Sequence, residues 1–553
     1  MIENLKTVKL DIEGEKRKVN LGLTLADLAK DYQDKFKYPI ILAKVGNEYH
    51  ELSDRIESEK EIHFIDLKER RGNLVHVNGL IMLLSYAAQE LYGEDAKITV
   101  KYSIDKGIFI ATSFDLTEKK CNALKDKMNE IVKKELNIIK CKVDRREAIE
   151  YFQAKKEVSK VELLKYDVSS TVTLYKLGDM YDYFFSQMPT NTKVLKDFDL
   201  HYLNNRGVIL LFPTIYIDGI KPYEHHPKIF EVFKEYQSWA EIMKIDNIPG
   251  LNKIVEVGRA DDIIRIDETL QSNRLLNIAR TIVEKKGVRI ILIAGPSSSG
   301  KTTTCRKLSM YLRSFGLEPR EISMDDYFID REKNPRDENG EYDFECLEAI
   351  NTKQFEEDVK KLLDGEKVTL PKYNFITGKS EKSNEEMQLN KNEVIIIEGI
   401  HALNEKVLPN IDRSKKFKIY LSPLTILNID IHNRISLTDS RLLRRIVRDN
   451  RTRGYKVEDT LRVWRKVRLG EEKHIFPNQD AADVVFNTAL IYELGVLKTY
   501  VEPLLYSVPI DSPYYEEAVR LINMLNTFQP IPSDAVPGDS LLREFIGGSC
   551  YNS

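Results

Sequence analysis

The sequence has few cysteines and no long run of apolar residues. Its five cysteines are scattered through 553 residues without a C-x-x-C pair, which excludes a disulfide framework or a cysteine-rich zinc site and favours a reducing compartment. No apolar run approaches the roughly 18–20 residues of a membrane-spanning helix, so no membrane partner is expected. The net charge of −3 does not draw the chain to nucleic acid or to membranes. Because the first residues begin an alternating pattern rather than a signal peptide, a cytoplasmic location is expected.

Length and composition indicate several globular domains. A chain of 553 residues is too long for a single hydrophobic core, so roughly three or four domains are expected. Contents of 42% hydrophobic and 31% charged residues are typical of an ordinary soluble globular protein. The oligomeric state stays open, a homo-oligomer included.

The strongest motif is a glycine-rich loop between a predicted strand and a predicted helix. Residues 295–302 fit G-x-x-x-x-G-K-[ST], with an apolar run at 288–294 before them and a helical pattern at 303–312 after them. Such a unit directs backbone N–H groups and a helix N-terminus at one point, which suits the polyphosphate of ATP or GTP. Lys301 can reach the β- and γ-phosphates, and the Thr302 hydroxyl can bind Mg²⁺. The residues expected to bind the nucleotide are Gly295, Ser297, Ser298, Ser299, Gly300, Lys301, Thr302 and Thr303.

Three further features follow the loop in an order that suits phosphoryl transfer. Asp325 ends a short strand and could accept the proton of an attacking hydroxyl or position Mg²⁺. Glu398 follows the apolar run 394–397, which is typical of a buried strand with a magnesium-binding carboxylate at its tip. Arginines dominate the helix predicted at 441–453 and could neutralise the charge of a transferring phosphoryl group. The alternatives are an ordinary acidic loop, an incidental acid at a strand end and a solvated basic helix.

Residues of about 286–505 resemble the uridine kinase and phosphoribulokinase family. The matching segments are S-x-D-x-F-Y at 323–328, N-F-D-x-P-D-A at 343–349, P-x-Y-D-F at 371–375, F-E-G-I at 397–400 and R-R-x-x-R-D-x-x-x-R-G at 444–454, several with substitutions.

That resemblance implies specific roles for individual residues. It makes Asp325 the catalytic carboxylate and Glu398 a magnesium ligand, together with Thr302. It places Arg445, Arg448 and Arg453 on a lid helix in contact with phosphates, and gives Lys301 a catalytic role. The substrate contacts that it implies are Phe328 in place of the family's Tyr, Phe344 and Tyr373 as flat faces for a nucleobase, and Glu345 for the ribose hydroxyls. The alternative is that the aromatic residues simply fill the core.

Two departures from the family leave the phosphate acceptor open. Gly378 stands where uridine kinases carry a His, and Tyr455 stands where they carry an Arg. Losing hydrogen-bond donors that contact the nucleoside changes which ligand a site accepts. The expected activity is therefore ATP-dependent phosphorylation of a hydroxyl, with a nucleoside 5′-hydroxyl as the first choice. A sugar phosphate or an amino acid is the alternative acceptor.

The front half of the chain resembles the N-terminal part of threonyl-tRNA synthetases. Residues 1–67 follow the strand and helix order of the β-grasp TGS domain, and 70–225 resemble the editing domain. The four positions that line the synthetase editing site hold residues unsuited to zinc binding or to base catalysis, namely Asn78, Met82, Phe184 and Met188. His76 lies nearby, and a lone His is more often structural than catalytic. This front half motivates a further alternative, a tRNA- or ribosome-associated regulator that uses ATP as a switch.

The expected fold class is an α/β multidomain protein, with a C-terminal P-loop kinase whose parallel sheet is flanked by helices. A β-grasp domain and an α+β editing-like domain precede it. The expected units are 1–67, 70–225, a helical connector at 226–285 broken at Pro249-Gly250, the kinase at 286–510, and a C-terminal helix and tail at 511–553. The tail from Pro530 is rich in Pro, Gly and Ser, which predicts loose order.

Overall fold

A computed structural model gives the fold and side-chain positions of most of the chain. The described residues are 7–57, 59–205, 207–245, 247–337, 340–374, 377–425 and 427–551. Phe375, the last residue of the P-x-Y-D-F-like segment, lies outside them. None of the described helices is long and apolar enough to cross a membrane.

The first unit is a mixed five-stranded sheet with one short helix. Its elements are β1 (Thr7–Ile12), β2 (Glu15–Asn20), α1 (Leu25–Ala29), β3 (Leu42–Val45), β4 (Glu48–Glu51) and β5 (Ile62–Ile65). The strand order is β2-β1-β5-β3-β4, and β1 pairs with β5 in parallel. Thr24 caps α1 in a capping box with Asp27, as the sequence predicts. The short strand β4 was not predicted.

The second unit combines two antiparallel sheets with helices. Its elements are α2 (Arg70–Tyr92), β6 (Ile98–Ile104), β7 (Gly107–Thr112), α3 (Glu118–Lys133), β8 (Ile138–Asp144), α4 (Arg145–Ala154), α5 (Val158–Lys165), β9 (Thr171–Leu177), β10 (Met180–Asp182), β11 (Asp199–Asn204) and β12 (Gly207–Leu211). The sheets have the orders β11-β12-β7-β6 and β10-β9-β8. The long helix α2 packs its apolar residues, such as Leu80 and Leu84, into the core beneath them.

The connector consists of three helices, α6 (Pro227–Met243), α7 (Ile248–Glu256) and α8 (Ala260–Glu284). The expected break at Pro249-Gly250 is wrong, because both residues lie in the first turn of α7. The chain instead leaves α6 at Lys244, whose φ is +58°, and Asn247 then caps α7. A proline in the first turn costs no hydrogen bond, since the first N–H groups of a helix have no partner within it.

The third unit is built on a parallel sheet. Its elements are β13 (Ile290–Ala294), α9 (Lys301–Ser314), β14 (Glu318–Ser323), α10 (Thr352–Leu363), β15 (Val368–Asn374), β16 (Lys379–Met387), β17 (Glu393–Glu398), β18 (Lys416–Ser422), α11 (Leu437–Arg453), α12 (Val457–Gly470), β19 (Val484–Asn487), α13 (Glu493–Tyr506), α14 (Tyr515–Leu525) and α15 (Arg543–Ile546). Five parallel strands have the order β14-β17-β13-β18-β19, and β15 and β16 form a separate hairpin.

Helices cover both faces of this parallel sheet. Ile291 and Ile293 of β13 pack with Leu308 of α9 on one face. Ile290 and Leu292 pack with Phe355 of α10 on the other. A strand that is buried on both sides needs a continuous apolar sequence, which explains the run at 290–294. Since all five strands are parallel, their carboxyl ends meet at one edge, where ligands bind in such sheets.

The second unit and the third unit share a polar interface. The backbone N–H of Val100 donates to the carbonyl of Ile431, at 2.8 Å. A buried ionic cluster joins Lys160 and Asp182 of the second unit to His432 of the third. The front half is therefore attached to the parallel-sheet unit by fixed contacts.

The C-terminal tail is ordered, so the expectation of loose order is wrong for 530–551. Leu542 and Phe545 are fully buried, and Ile531 and Val536 are nearly so. The guanidinium of Arg451 on α11 donates to the carbonyl oxygens of Glu544 and Phe545, at 2.9 and 3.1 Å. The few apolar residues of the tail pack into the core. A composition rich in Pro, Gly and Ser hides this packing from a prediction based on composition.

Candidate active site

The glycine-rich loop joins β13 to the N-terminus of α9 at the carboxyl edge of the sheet. Ser298 and Gly300 adopt φ values of +60° and +84°, in the left-handed region that favours glycine. A Cβ atom on Gly295 would lie 2.5 Å from the carbonyl oxygen of Leu421, so only glycine fits there. Lys301 folds back over the loop, and its Nζ donates to the carbonyl of Gly295 at 3.1 Å. Thr302 is exposed in the first turn of α9.

Ser323 links the carboxylate of Glu398 to the backbone of Asp325, the two acidic residues that separate motifs predict. Its hydroxyl donates to Glu398 Oε1 at 2.9 Å and accepts from the backbone N–H of Asp325 at 3.3 Å. The pairing of β14 with β17 sets Ser323 directly opposite Glu398. The parallel register thus brings Asp325 and Glu398 together at the strand ends. Ser323 has no distinctive sequence signal apart from its place in the S-x-D-x-F-Y segment.

The electrostatics of this carboxylate pair suit a divalent cation. Burial raises the pKa of Glu398 to about 7, with the charge of Asp325 adding to the rise and Lys301 opposing it. Burial also raises the pKa of Asp325, against Lys301 and Arg453. Two neighbouring carboxylates that are costly to ionise together are stabilised by a bound cation, and oxygen ligands are those that Mg²⁺ prefers. Glu398 and the Thr302 hydroxyl are the residues that could hold it.

The arginine-rich helix α11 begins at Leu437 and ends at Gly454, whose φ is +66°. Its fully buried Asp449 pairs with all three arginines expected to contact phosphate. The distances are 3.1 Å from Arg445 Nε, 3.0 Å from Arg448 Nη2 and 3.3 Å from Arg453 Nη1. Arg445 also donates to the Ser297 hydroxyl of the loop, at 2.9 Å. Asp449 was missed as a site residue, although its position four residues after Arg445 is a helical pairing signal.

Other arginines of α11 serve the structure instead. Arg444 is fully buried, pairs with Glu493 and donates to the carbonyl of Thr488 at 2.7 Å. Arg441 pairs with the buried Glu471, which also accepts from the backbone N–H of Ser297 at 3.0 Å. Glu471 thus contacts the glycine-rich loop. The sequence carries no signal for this contact, because the two residues are distant in the chain.

The predicted acceptor residues lie beside this charge cluster. The ring of Phe328 is 5.5 Å from that of Tyr373 and 6.2 Å from that of Phe344. Phe328 and Tyr373 are buried and Phe344 is half-buried, so much of their ring surface is used in mutual packing. Burial raises the pKa of Glu345 to about 7, Glu471 adds to the rise, and Arg445 and Lys301 oppose it. Glu345 therefore lies within the electrostatic field of Lys301, Arg445 and Glu471.

Replacing Glu345 with Gln is expected to stabilise the protein at pH 8 more than at pH 5.5. Between about pH 4.5 and 7 the folded state keeps a proton that the unfolded state has lost, so the free energy of unfolding falls as pH rises. Above pH 7 the wild type bears the full cost of the buried charge, and the Gln variant does not. Thermal unfolding of both proteins at the two pH values measures the difference. Glu348→Gln, which makes the same chemical change at an exposed neighbour, is the matched control. Equal stabilisation at both pH values would contradict the burial of a charged Glu345.

The four positions that the resemblance aligns with the synthetase editing site do not form a polar site. Met82, Phe184 and Met188 are buried in the core of the second unit, and the amide of Asn78 donates to the Ser186 hydroxyl at 2.7 Å. Burial lowers the pKa of His76 to about 4, which keeps it neutral. Within the described ranges, no cluster of three or more His, Cys, Asp or Glu side chains could hold a metal ion.

The C-terminal and N-terminal regions of the chain are similar to two different kinds of known protein. Residues 290–491 match the Phosphoribulokinase / Uridine kinase family. Over 229 residues the chain is 31% identical to a uridine kinase of Borrelia duttonii, which covers 39% of this chain and 97% of that protein. A solved structure of a possible uridine kinase from Bacillus stearothermophilus shares 23% identity and covers 39% of this chain and 98% of its own, with a TM-score of 0.27.

The N-terminal region is similar to threonine–tRNA ligases. Over 169 residues the chain is 27% identical to the ligase of Sulfurihydrogenibium sp. strain YO3AOP1, which corresponds to 30% of this chain and 26% of that protein. The chain thus spans about a quarter of the length of the threonine–tRNA ligases that it matches.

Proposed function

Since this chain belongs to the phosphoribulokinase and uridine kinase family, we propose that it transfers the γ-phosphate of ATP to the 5′-hydroxyl of a nucleoside. Its class, a phosphotransferase that acts on a hydroxyl group, follows from that membership. The observation that carries the assignment is the Ser323 bridge, which holds Asp325 and Glu398 together next to Lys301 at the sheet edge.

In the proposed reaction the loop and its neighbours hold the donor. Lys301 and the loop N–H groups bind the triphosphate, and Lys301 leaves its contact with the Gly295 carbonyl to do so. Thr302 and Glu398 hold Mg²⁺, which when bound neutralises phosphate charge. Arg445, Arg448 and Arg453, gathered by Asp449, contact the phosphoryl group during transfer.

Asp325 is the proposed general base. Its carboxylate accepts the proton of the acceptor hydroxyl as the new O–P bond forms and the bond to the ADP leaving group breaks. The residues proposed to position the acceptor are Glu345, Phe328, Phe344 and Tyr373. Catalysis then consists mainly of positioning and of electrostatic stabilisation.

A panel of acceptors tests this function. Purified full-length protein with Mg-ATP is offered the common ribo- and deoxyribonucleosides, and ADP release is measured above an acceptor-free background. We expect at least one nucleoside to be phosphorylated at its 5′-hydroxyl, identified by mass spectrometry. Background release with every nucleoside would exclude a nucleoside kinase.

A second candidate keeps the chemistry and changes the acceptor to a sugar phosphate or an amino acid. It is favoured by the surroundings of Gly378, where a Cβ atom would lie 2.8 Å from Nε of Arg331. The Arg331 side chain therefore occupies the space that a side chain at position 378 would need. A guanidinium there suits an anionic acceptor better than an uncharged base. The same panel, extended to sugar phosphates and hydroxyl-bearing amino acids, separates the two candidates.

A third candidate is an RNA-associated regulator that uses ATP as a switch. The similarity of the N-terminal region to threonine–tRNA ligases favours it. Binding of labelled tRNA to the full chain, measured from low to physiological salt, tests it because phosphate contacts weaken steeply with salt. Absence of binding at low salt would exclude this candidate.

A further inference from the structure

The C-terminal tail returns to the phosphate loop. Oε2 of Glu544, on α15, accepts hydrogen bonds from the backbone N–H and the hydroxyl of Thr303, at 3.1 and 2.8 Å. Thr303 lies in the first turn of α9, beside Lys301 and Thr302. Its N–H is one of the donors that a glycine-rich loop of this type offers to a phosphate. The Glu544 carboxylate thus occupies an N–H group that the loop would otherwise offer to a phosphate.

Contacts of the neighbouring tail residues hold Glu544 in this position. Asp539 forms a salt bridge of 2.9 Å with Lys307 on α9. Arg451 on α11 donates to the backbone oxygens of Glu544 and Phe545. Leu542 and Phe545 are fully buried. These contacts attach the tail to both the phosphate-loop helix and the arginine-rich helix, so the position of Glu544 is set by packing on both.

A carboxylate and a phosphate cannot share the Thr303 donors. Both are anions, and their repulsion adds to the competition for the same two hydrogen bonds. Glu471 also touches the loop, through the N–H of Ser297, but it is fully buried and is neutralised by Arg441 and Arg468. Glu544 is half-buried and bonds to neutral donors, so it is the carboxylate that can leave.

We propose that residues 540–546 are an internal competitor for the donor-phosphate site, and that Glu544 sets the apparent affinity for ATP. The inference rests on the proposed function, because it takes the loop to be the ATP site. When a closed state must open before a ligand binds, the apparent dissociation constant is the intrinsic one divided by the open fraction. Binding of ATP then displaces the tail, and loosening the tail strengthens ATP binding.

Direct binding of Mg-ATP to the full-length protein, without acceptor, tests the competitor. Glu544→Gln removes the charge and keeps the shape, and it should lower the apparent dissociation constant by about tenfold to a hundredfold, the range expected for one charge-assisted contact. Asp534→Asn is the matched control, since it removes a charge from an exposed position of the same tail. Its affinity should stay that of the wild type. If the wild type binds Mg-ATP and Glu544→Gln binds it no more tightly, residues 540–546 do not compete with ATP. The proposed kinase function would then still stand.

Hydrogen exchange of the tail gives a second, independent measurement. In the wild type, Mg-ATP should speed amide exchange over 540–546, and Glu544→Gln should speed it without nucleotide. Arg451→Met is a second variant that loosens the tail and leaves the Thr303 donors and the Glu544 side chain in place. It should also bind ATP more tightly. Slower amide exchange of the tail in the presence of ATP would contradict the proposal that residues 540–546 compete with ATP. If neither the wild type nor any variant binds ATP, the proposed donor site is wrong as well.

Discussion

Replacing Asp325 with Asn is expected to lower kcat by about 100- to 10,000-fold, the range that general-base catalysis contributes. The amide cannot accept the proton of the acceptor hydroxyl. Its shape is otherwise conserved, and its backbone N–H keeps the bond to Ser323 Oγ. The apparent affinity for ATP should change far less, because removing a negative charge near Lys301 does not weaken phosphate binding. Steady-state kinetics with the accepted substrate, together with direct ATP titration, separate the two quantities.

Asp326→Asn is the matched control for that experiment. Asp326 is the next residue in the same helical turn and is half-buried like Asp325. The same chemical change there should leave kcat close to the wild-type value. Equal losses of turnover and of ATP affinity in Asp325→Asn would contradict a role in proton transfer and would indicate a structural or metal-holding role.

Replacing Lys301 with Met is expected to lower kcat/KM by about 100- to 1,000-fold, the loss that follows removal of one preorganised charge stabiliser. Met keeps most of the length of the side chain and loses the ammonium group that contacts the phosphates in the proposed reaction. Unlike Asp325→Asn, this variant should also bind ATP more weakly, because Lys301 contacts the donor before transfer as well as during it. The ratio of the two effects is measured by ATP titration and by initial rates.

Lys286→Met is the control for the loss of a positive charge. Lys286 is exposed just before β13 and is remote from the loop along the strand. Its replacement should leave ATP binding and turnover unchanged. A Lys301→Met variant with wild-type ATP affinity would contradict the assignment of residues 295–302 as the donor site.

Much of the parallel-sheet unit could be predicted because its signals are local. The run at 290–294 is apolar on both faces of its strand, and the glycines at 295 and 300 stand where the backbone needs them. Glu398 could be predicted as a strand-tip acid because the strand before it is uniformly apolar. The end of the arginine-rich helix at Gly454 could also be predicted, since a left-handed residue ends a helix in a recognisable way.

The misplaced helix break has a local cause, whereas the missed contacts depend on partners that are distant in the chain. Pro249-Gly250 look like a helix break, but a proline in a first turn starts a helix as readily as it ends one. The tail resembles a loose terminus by composition, although its few apolar residues bury completely. Glu471 and Glu544 look like ordinary acids on helices, and their contacts with Ser297 and Thr303 exist only after the chain has folded.

The amino-acid sequence already specifies the groups available for chemistry: a glycine-rich loop, two carboxylates at strand ends and a helix rich in arginine. These follow from short-range rules of strand burial, glycine conformation and helix capping. The relative placement of these groups depends on the folded chain. The parallel register set Ser323 opposite Glu398, and the tail brought Glu544 to Thr303. Those contacts join residues far apart in the chain, and their geometry comes from the packing of whole elements rather than from any local pattern.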